Sequence, residues 1–107
     1  MIVPPGPLTT RLSGLIVELA ERHRLPAVTG FRETVQAGAL ASYGIDSPAL
    51  FGRAASYVDR ILKGERPGDL PIQFANKFHV AINLKTARAL GLNVPVGLLA
   101  RTDEVIE

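Results

Sequence analysis

The sequence predicts an α/β domain in which a parallel sheet is flanked by helices, in an arrangement like three layers. Short apolar strands at 2–3 and 27–28 enclose a helical stretch, and strand, helix, strand in that order begins a right-handed βαβ unit. A further apolar run at 39–43 lies between glycines, which suits a buried parallel strand. A long amphipathic helix over 47–64 follows. We expect residues 1–107 to form a single domain.

The first helix is expected to start at a threonine cap, since the hydroxyl of Thr9 or Thr10 can accept from the orphan amides of a first turn. Its apolar stripe is predicted to contain Leu12, Leu15, Ile16 and Leu19. The dipeptide at 25–26, Leu-Pro, ends it. Residues 30–38 fit a short helix or a loop equally well, because their apolar residues are sparse.

The helix predicted over 47–64 is specified locally at both ends. Ser47 is placed to cap it, Pro48 suits its first turn, and Gly64 can adopt the left-handed conformation that ends a last turn. Its apolar stripe comprises Leu50, Phe51, Ala54, Ala55, Val58, Ile61 and Leu62. This stripe is broader than so small a chain can easily cover.

The second half begins with a polar turn at 65–69 and continues as an extended stretch over 70–84, where apolar residues alternate with others. Asn83 is expected to cap a short helix that Gly91 ends. Pro95 is expected to begin a last helical turn. The acidic residues within 103–107 are expected to form a frayed, solvated terminus.

Composition argues against several function classes. The chain has twelve Lys and Arg residues and ten Asp and Glu residues, and they are scattered along it. They form no basic stripe, so nucleic-acid binding is not expected. The absence of cysteine excludes disulfides and thiolate chemistry. His23 and His79 lack acidic partners at ligand-like spacing, and no catalytic motif is present, so we expect no enzyme, cofactor or metal. The amino terminus has neither a basic region followed by an apolar one nor a membrane span.

A small-molecule site is the remaining possibility, because ligands of open α/β sheets lie beyond the carboxyl ends of the strands. That rule points to the loops at 4–9, 29–32 and 42–46. The candidate ligand contacts are Pro5, Thr9, Phe31, Arg32, Ser42, Tyr43 and Asp46. Arg32 suits an anionic ligand group, although a surface salt bridge to Glu33 or a neighbour is the alternative. Pro5 fits a stiff turn equally well, and Tyr43 a core or lid aromatic.

Five segments together resemble a known family. In order they are LAERHRLPAV, GALASYGID, RAASYVDRILKGERPGDLP, FHVAINLKTARALGLNVP and LLARTDEVIE. In order and spacing they resemble the carboxyl-terminal part of ABC-transporter substrate-binding proteins with the type I periplasmic-binding-protein fold. The chain departs from the family pattern near the expected cleft, at 29–30, at 38–39 and at Gly52.

The resemblance implies a two-lobed, periplasmic protein that closes on a small molecule, such as an amino acid or carboxylate, and presents it to an ABC permease. It implies that this chain is a truncated form containing only the carboxyl-terminal lobe, without the amino-terminal lobe or a signal sequence. If the chain is the complete product, a cytoplasmic location is expected. The alternative is a small self-associating α/β protein that keeps the fold of the lobe without ligand transport.

The resemblance also implies that the helix over 47–64 packs on the missing lobe. Its uncovered stripe is then the predicted surface of a homodimer. The self-association residues are Leu50, Phe51, Ala54, Val58, Ile61 and Leu62. Covering each large apolar side chain is worth about 1.5–3 kcal/mol, so leaving several exposed consumes much of the stability of a small domain.

Overall fold

A computed structural model describes all 107 residues and contains one five-stranded sheet in the order β1-β2-β3-β4-β5. The strands are β1 (Ile2–Val3), β2 (Val28–Thr29), β3 (Ala41–Ile45), β4 (Phe78–Asn83) and β5 (Glu104–Ile106). The helices are α1 (Pro7–Arg11), α2 (Ser13–Arg22), α3 (Arg32–Gln36), α4 (Ser47–Leu62), α5 (Leu84–Ala89) and α6 (Val96–Leu99), with a 3-10 turn at Pro67–Asp69. The predicted α/β class is confirmed.

The sheet is mostly parallel. β1 pairs with β2 and β2 with β3 in parallel, so that Val3, Thr29 and Ser42 lie side by side. The predicted βαβ unit is therefore present. The Asn83 amide donates to the Leu40 carbonyl, and the Asp46 amide donates to the Lys77 carbonyl. The start of β3 thus lies beside the end of β4, and the end of β3 beside the start of β4. The two strands are therefore antiparallel, and the sheet is mixed.

The predicted frayed terminus is wrong, because 104–106 form a strand. β5 pairs in parallel with β4, with Ile82 beside Val105. The carboxylate of Asp103 accepts a hydrogen bond from the Val80 amide at 2.8 Å. The free edge of β4 offers backbone hydrogen-bond partners to residues 104–106, and the sequence of the terminus alone does not reveal this edge.

The chain groups into two compact units, one formed by residues 1–44 and 79–107 and the other by residues 45–78. The first unit contains the buried apolar core, which consists largely of small side chains. Its members are Val17, Ala20, Ala27, Val35, Ala39, Ala81, Ile82 and Ala87. Small residues let helices approach a sheet closely, and they leave few large side chains to hold the layers together.

The first helical stretch of this unit begins earlier than predicted. α1 starts at Pro7 after Gly6, so Thr9 lies inside the helix, and its hydroxyl bonds the Pro4 carbonyl at 2.8 Å. Proline at the first turn costs no hydrogen bond, which favours this start. The buried residues of α2 are Val17 and Ala20. The predicted stripe is therefore displaced, with Leu12, Leu15 and Leu19 exposed.

The remaining elements of the first unit follow local signals. The ambiguous stretch at 30–38 contains the short helix α3. Asn83 caps α5, with its side-chain oxygen accepting from the Thr86 amide at 3.0 Å, as predicted. Gly91 has a φ of 71°, the left-handed conformation expected at that helix end. Pro95 precedes α6, also as predicted.

The second unit is built on α4, and its predicted cap is off by one residue. The side chain of Asp46, rather than Ser47, accepts a hydrogen bond from the Ala49 amide at 3.1 Å. Gly64 has a φ of 106°, which confirms the predicted end. No residue of α4 is buried within the chain. The predicted apolar stripe is therefore uncovered, with Phe51 74% and Leu62 82% exposed.

Residues 71–77 contain no regular secondary structure before β4 begins. Within β4 the predicted alternation fails, since Ala81, Ile82 and Asn83 are consecutively buried. A strand inside a sheet is covered on both faces, which removes the period of two. None of the helices combines the length and the hydrophobicity that a transmembrane span requires.

Candidate functional site

The candidate site is a pocket of about 240 Å³ in the first unit, at the carboxyl ends of β1 and β2. Val3 and Thr29, the last residues of those strands, lie in its wall, together with the loops that follow them. Residues of α1, α2 and α3 complete the lining. This position beyond the carboxyl ends of parallel strands is where open α/β sheets bind ligands.

The walls of the pocket are apolar, and polar groups are interspersed among them. The apolar lining includes Val3, Pro5, Ile16, Val17 and Phe31. The polar lining is Thr9, Thr10, Ser13, Thr29, Glu33 and Thr34. An apolar cavity with a few polar groups is the usual composition of a small-molecule site.

Two glycines allow the backbone at this edge of the sheet to pack closely. A Cβ atom at Gly30 would lie 3.2–3.3 Å from ring carbons of Pro5. A Cβ atom at Gly44, in β3, would lie only 2.0 Å from the carbonyl oxygen of Gly30. The loop after β2 is thus held between Pro5 on one side and β3 on the other, and this positions the pocket wall.

Buried hydroxyls fix the backbone of Phe31. Thr29 and Thr34 are 6% and 9% exposed, and their hydroxyl groups contact one another. Thr29 donates to the Phe31 carbonyl at 3.1 Å and Thr34 at 2.6 Å. Because these two hydroxyls and that of Thr9 already have partners within the chain, the polar side chains left for a ligand are those of Thr10, Ser13 and Glu33.

The pocket brings together three of the predicted ligand contacts, Pro5, Thr9 and Phe31. Thr9 has a structural function as well, since its hydroxyl lies 2.8 Å from the Pro4 carbonyl and 3.0 Å from that of Gly6. Phe31 is half-buried and begins α3 as its amino-terminal cap residue.

The other predicted contacts lie outside the pocket lining. Arg32 forms an ion pair at 3.5 Å, as its alternative role requires, but with Glu104 rather than with Glu33. Ser42 is 2% exposed, and its hydroxyl has no hydrogen-bond partner. Tyr43 is 61% exposed. Asp46 lies in the second unit, where it caps α4 and contacts Lys77 at 3.4 Å.

The lining also contains Thr10, Ser13, Glu33 and Thr34, which the sequence does not predict as ligand contacts. Thr10 is predicted only as an alternative helix cap, and the sequence predicts no role for Ser13. The ambiguity of 30–38 concealed the others. A signal existed in the spacing of Thr9 and Ser13, which puts two hydroxyls one helical turn apart.

The mostly parallel sheet, with its pocket at the strand ends, has the fold of periplasmic-binding-protein-like domains. Within that class the chain belongs to the family of ABC transporter substrate binding proteins, whose model matches residues 5–106. The resemblance noted in the sequence is thereby confirmed.

Several known proteins are similar to this chain. It is 27% identical over 92 residues to a tyrosine-binding protein of Clostridioides difficile. It is 28% identical to a conserved domain protein of Vibrio cholerae, with a TM-score of 0.88, and 27% identical to an ABC domain of Streptococcus pneumoniae in complex with L-Trp, with a TM-score of 0.89.

The matches cover most of this chain and a smaller part of each relative. They span 86% of the chain and 27% of the tyrosine-binding protein. The two structures are matched over 97% and 98% of the chain and over 35% and 36% of their own length. The chain therefore corresponds to about a third of these proteins.

Proposed function

We propose that the chain is a partial solute-binding domain of an ABC transporter and that its pocket holds part of an amino acid with an aromatic side chain. The observation that carries the proposal is the pocket at the ends of β1 and β2. Its volume of about 240 Å³ is below the 300 to 1,000 Å³ typical of sites for drug-sized ligands, which suits a smaller molecule. The tyrosine-binding and L-Trp-bound relatives support an aromatic amino acid.

The charge of the pocket favours the ammonium end of such a ligand. Glu33 is the one charged residue in the lining, and it makes no ion pair within the chain. The lining contains no lysine or arginine to pair with the ligand carboxylate. We therefore assign the ammonium group to Glu33 and the aromatic ring to the apolar wall at Phe31 and Ile16.

Membership of the family of ABC transporter substrate binding proteins supports a permease as the partner protein. We propose that residues 1–107 act as one part of a periplasmic or other extracytoplasmic binding protein that delivers its ligand to an ABC permease. Pro5, Thr9 and Phe31 are proposed ligand contacts within the pocket. Arg32, Ser42 and Tyr43 do not line the pocket and stay predictions from the sequence, as does Asp46 in the second unit.

Titration calorimetry and thermal-shift measurements on the chain test this function. L-tyrosine and L-tryptophan are expected to bind and to raise the melting temperature, with L-alanine as the control for the missing ring. A ligand at a hundred times its Kd stabilises the folded state by about 2.7 kcal/mol, a readily measured effect. If none of these compounds binds or stabilises the chain, the proposed function is wrong.

A pair of analogues and a pair of variants test the role of Glu33. Tyramine, which lacks the carboxylate, is expected to retain binding, whereas 3-phenylpropionate, which lacks the ammonium group, is expected to lose it. Glu33→Gln should weaken binding at least fivefold. Glu21→Gln removes the same charge from an exposed helix position outside the pocket and should have no effect. Equal affinities of the two variants would exclude an ammonium site at Glu33.

The uncovered face of α4 supports a second proposed function, self-association into a homodimer. Its exposed apolar residues include Leu50, Phe51, Val58, Ile61 and Leu62. With Ala54 they form the predicted self-association surface. A contiguous exposed apolar face on a soluble chain is typical of an interaction site.

Sedimentation velocity at micromolar concentration tests this second function. Phe51→Ser or Leu62→Ser is expected to shift the population to monomer without unfolding it, because both side chains are exposed. Val96→Ser, at an 81% exposed position in the first unit, is the matched control. A wild-type chain that sediments as a folded monomer would exclude self-association.

A further inference from the structure

Two buried polar atoms of the first unit have no hydrogen-bond partner within the chain. They are the hydroxyl oxygen of Ser42, on β3, and the ring nitrogen Nδ1 of His79, on β4. Ser42 is 2% exposed. Leaving a buried polar atom without a partner costs free energy, so folded proteins satisfy such atoms with other protein groups or with bound water.

The strand register places these two side chains on one face of the sheet. In the antiparallel pairing of β3 with β4, Ser42 lies opposite Ala81, and His79 lies opposite Gly44. Residues two apart along a strand share a face, so Ser42 and His79 are diagonal neighbours, with Cα atoms about 7–8 Å apart. Their polar atoms make no direct hydrogen bond, and the gap suits a single bridging water.

A backbone carbonyl approaches the same place. A Cβ atom at Gly44 would point to the face that carries Ser42 and His79, and it would lie 2.0 Å from the Gly30 carbonyl oxygen. That oxygen therefore lies over Gly44, across from His79. Because a carbonyl oxygen has two lone pairs, it can accept from a bound water in addition to any backbone donor.

The short helix α3 covers this face of the sheet. Asn83, on the same face of β4, donates from its side chain to the Val35 carbonyl at 2.9 Å. Thr29, which lies beside Ser42 in the parallel register, contacts the hydroxyl of Thr34. Both Val35 and Thr34 belong to α3. The Ser42 hydroxyl is thus enclosed between the sheet and a helix.

We propose that one buried water binds between β3 and β4 and bridges the Ser42 hydroxyl, Nδ1 of His79 and the Gly30 carbonyl. The water accepts from the Ser42 hydroxyl and donates to the other two atoms, so both of its hydrogens are engaged. Buried waters typically make about three hydrogen bonds of this kind. The bridge ties the loop after β2, which forms part of the pocket wall, to two strands. It does not depend on the proposed function.

This hydrogen-bond pattern assigns the tautomer of His79. A neutral imidazole has one acceptor nitrogen and one N–H donor, and the bond made by one nitrogen determines the state of the other. Because Nδ1 accepts from the water, the proton lies on Nε2. That nitrogen makes no hydrogen bond within the chain and is not buried, so it faces solvent as a donor.

Nitrogen-15 NMR of the imidazole rings tests this assignment, with His23 as the internal control, because it is the other histidine of the chain. His23 is exposed at the end of α2 and should show a mixture of tautomers. In mildly alkaline solution His79 should favour the Nε2–H form by at least about fivefold, the ratio that one net hydrogen bond produces. Ser42→Ala should lower that ratio. A His79 ring with the mixture found for His23, or with its proton on Nδ1, overturns the proposal.

A high-resolution crystal structure separates a water bridge from a direct contact. It should contain a water within about 2.7–3.2 Å of the Ser42 oxygen, of Nδ1 of His79 and of the Gly30 oxygen. A site without water, or a Ser42 hydroxyl bonded directly to Nδ1, contradicts the bridge.

A pair of variants tests whether Ser42 and His79 share one water. Ser42→Ala should lower the melting temperature of the wild type, but it should lower that of His79→Leu much less, because the water is already lost there. His79→Asn, whose amide oxygen can replace Nδ1 as the acceptor, should restore the effect of Ser42→Ala. An equal effect of Ser42→Ala in the wild type and in His79→Leu, or a wild type that Ser42→Ala stabilises, overturns the shared site.

Discussion

Replacing Gly44 by alanine should destabilise the first unit, because β3 passes unusually close to the loop after β2. The added Cβ would lie 2.0 Å from the Gly30 carbonyl oxygen, whereas real Cβ atoms essentially never come within 3.0 Å of such an atom. The two backbones must therefore separate by about 1 Å or more, which takes a hydrogen bond of ordinary length beyond its useful range.

The expected cost of Gly44→Ala is about 2–4 kcal/mol, from overpacking strain of about 1–3 kcal/mol and the loss of one or two ladder hydrogen bonds worth about 1 kcal/mol each. The gain of about 0.5–1 kcal/mol from reduced chain entropy offsets only part of it. Urea unfolding followed by circular dichroism measures the change, and hydrogen exchange locates it. Amides of β2 and β3 should lose protection first.

Gly52→Ala is the matched control, since a Cβ at Gly52, inside α4, meets no atom within 4 Å. There the same substitution is expected to stabilise the helix by about 0.5–1 kcal/mol. If Gly44→Ala is as stable as the wild type to within about 0.5 kcal/mol, well below the expected overpacking cost, the close approach of Gly44 and Gly30 is not as described.

Two further substitutions test the capping and charge contacts. Asn83→Ala should destabilise the chain by about 2–4 kcal/mol in urea unfolding. It removes the cap of α5, and it leaves the buried Val35 carbonyl without the donor that lies 2.9 Å away. A loss of stability below about 1 kcal/mol would contradict this. The side-chain hydrogen bond from Arg60 lowers the pKa of Glu65 below its ordinary 4.5, so the stabilising contribution is present above that pH and lost as the pH falls through the lowered pKa. In Glu65→Gln the melting temperature should fall slightly at neutral pH and show no difference from wild type in strong acid; an equal difference at both would exclude the ion pair as its cause.

Local signals predicted much of the fold correctly. Asn83 as a cap, Gly64 and Gly91 as helix ends and the parallel βαβ unit depend on residues close in sequence or on simple topological rules. The cap of α4 was misplaced by one residue because Asp46 and Ser47 are both good capping residues, and sequence alone does not choose between them.

The candidate pocket coincides only in part with the ligand contacts that the sequence predicts. The rule of strand ends led to Pro5, Thr9 and Phe31, and these three residues line the pocket. It did not reveal that Arg32 forms an ion pair with Glu104, which lies on β5 and is distant in sequence. Nor did it place Glu33 in the pocket wall, since that depends on the start of a short helix in an ambiguous stretch.

By itself the sequence determined the α/β class, the positions of the longest helix and of most turns, and the breadth of the apolar stripe on α4. Tertiary structure decided which face of α2 is buried, that the acidic terminus becomes β5, and that the face of α4 stays uncovered. The physical reason is that propensity and capping act between neighbours, whereas burial and strand pairing are free energies set by contacts between residues far apart along the chain.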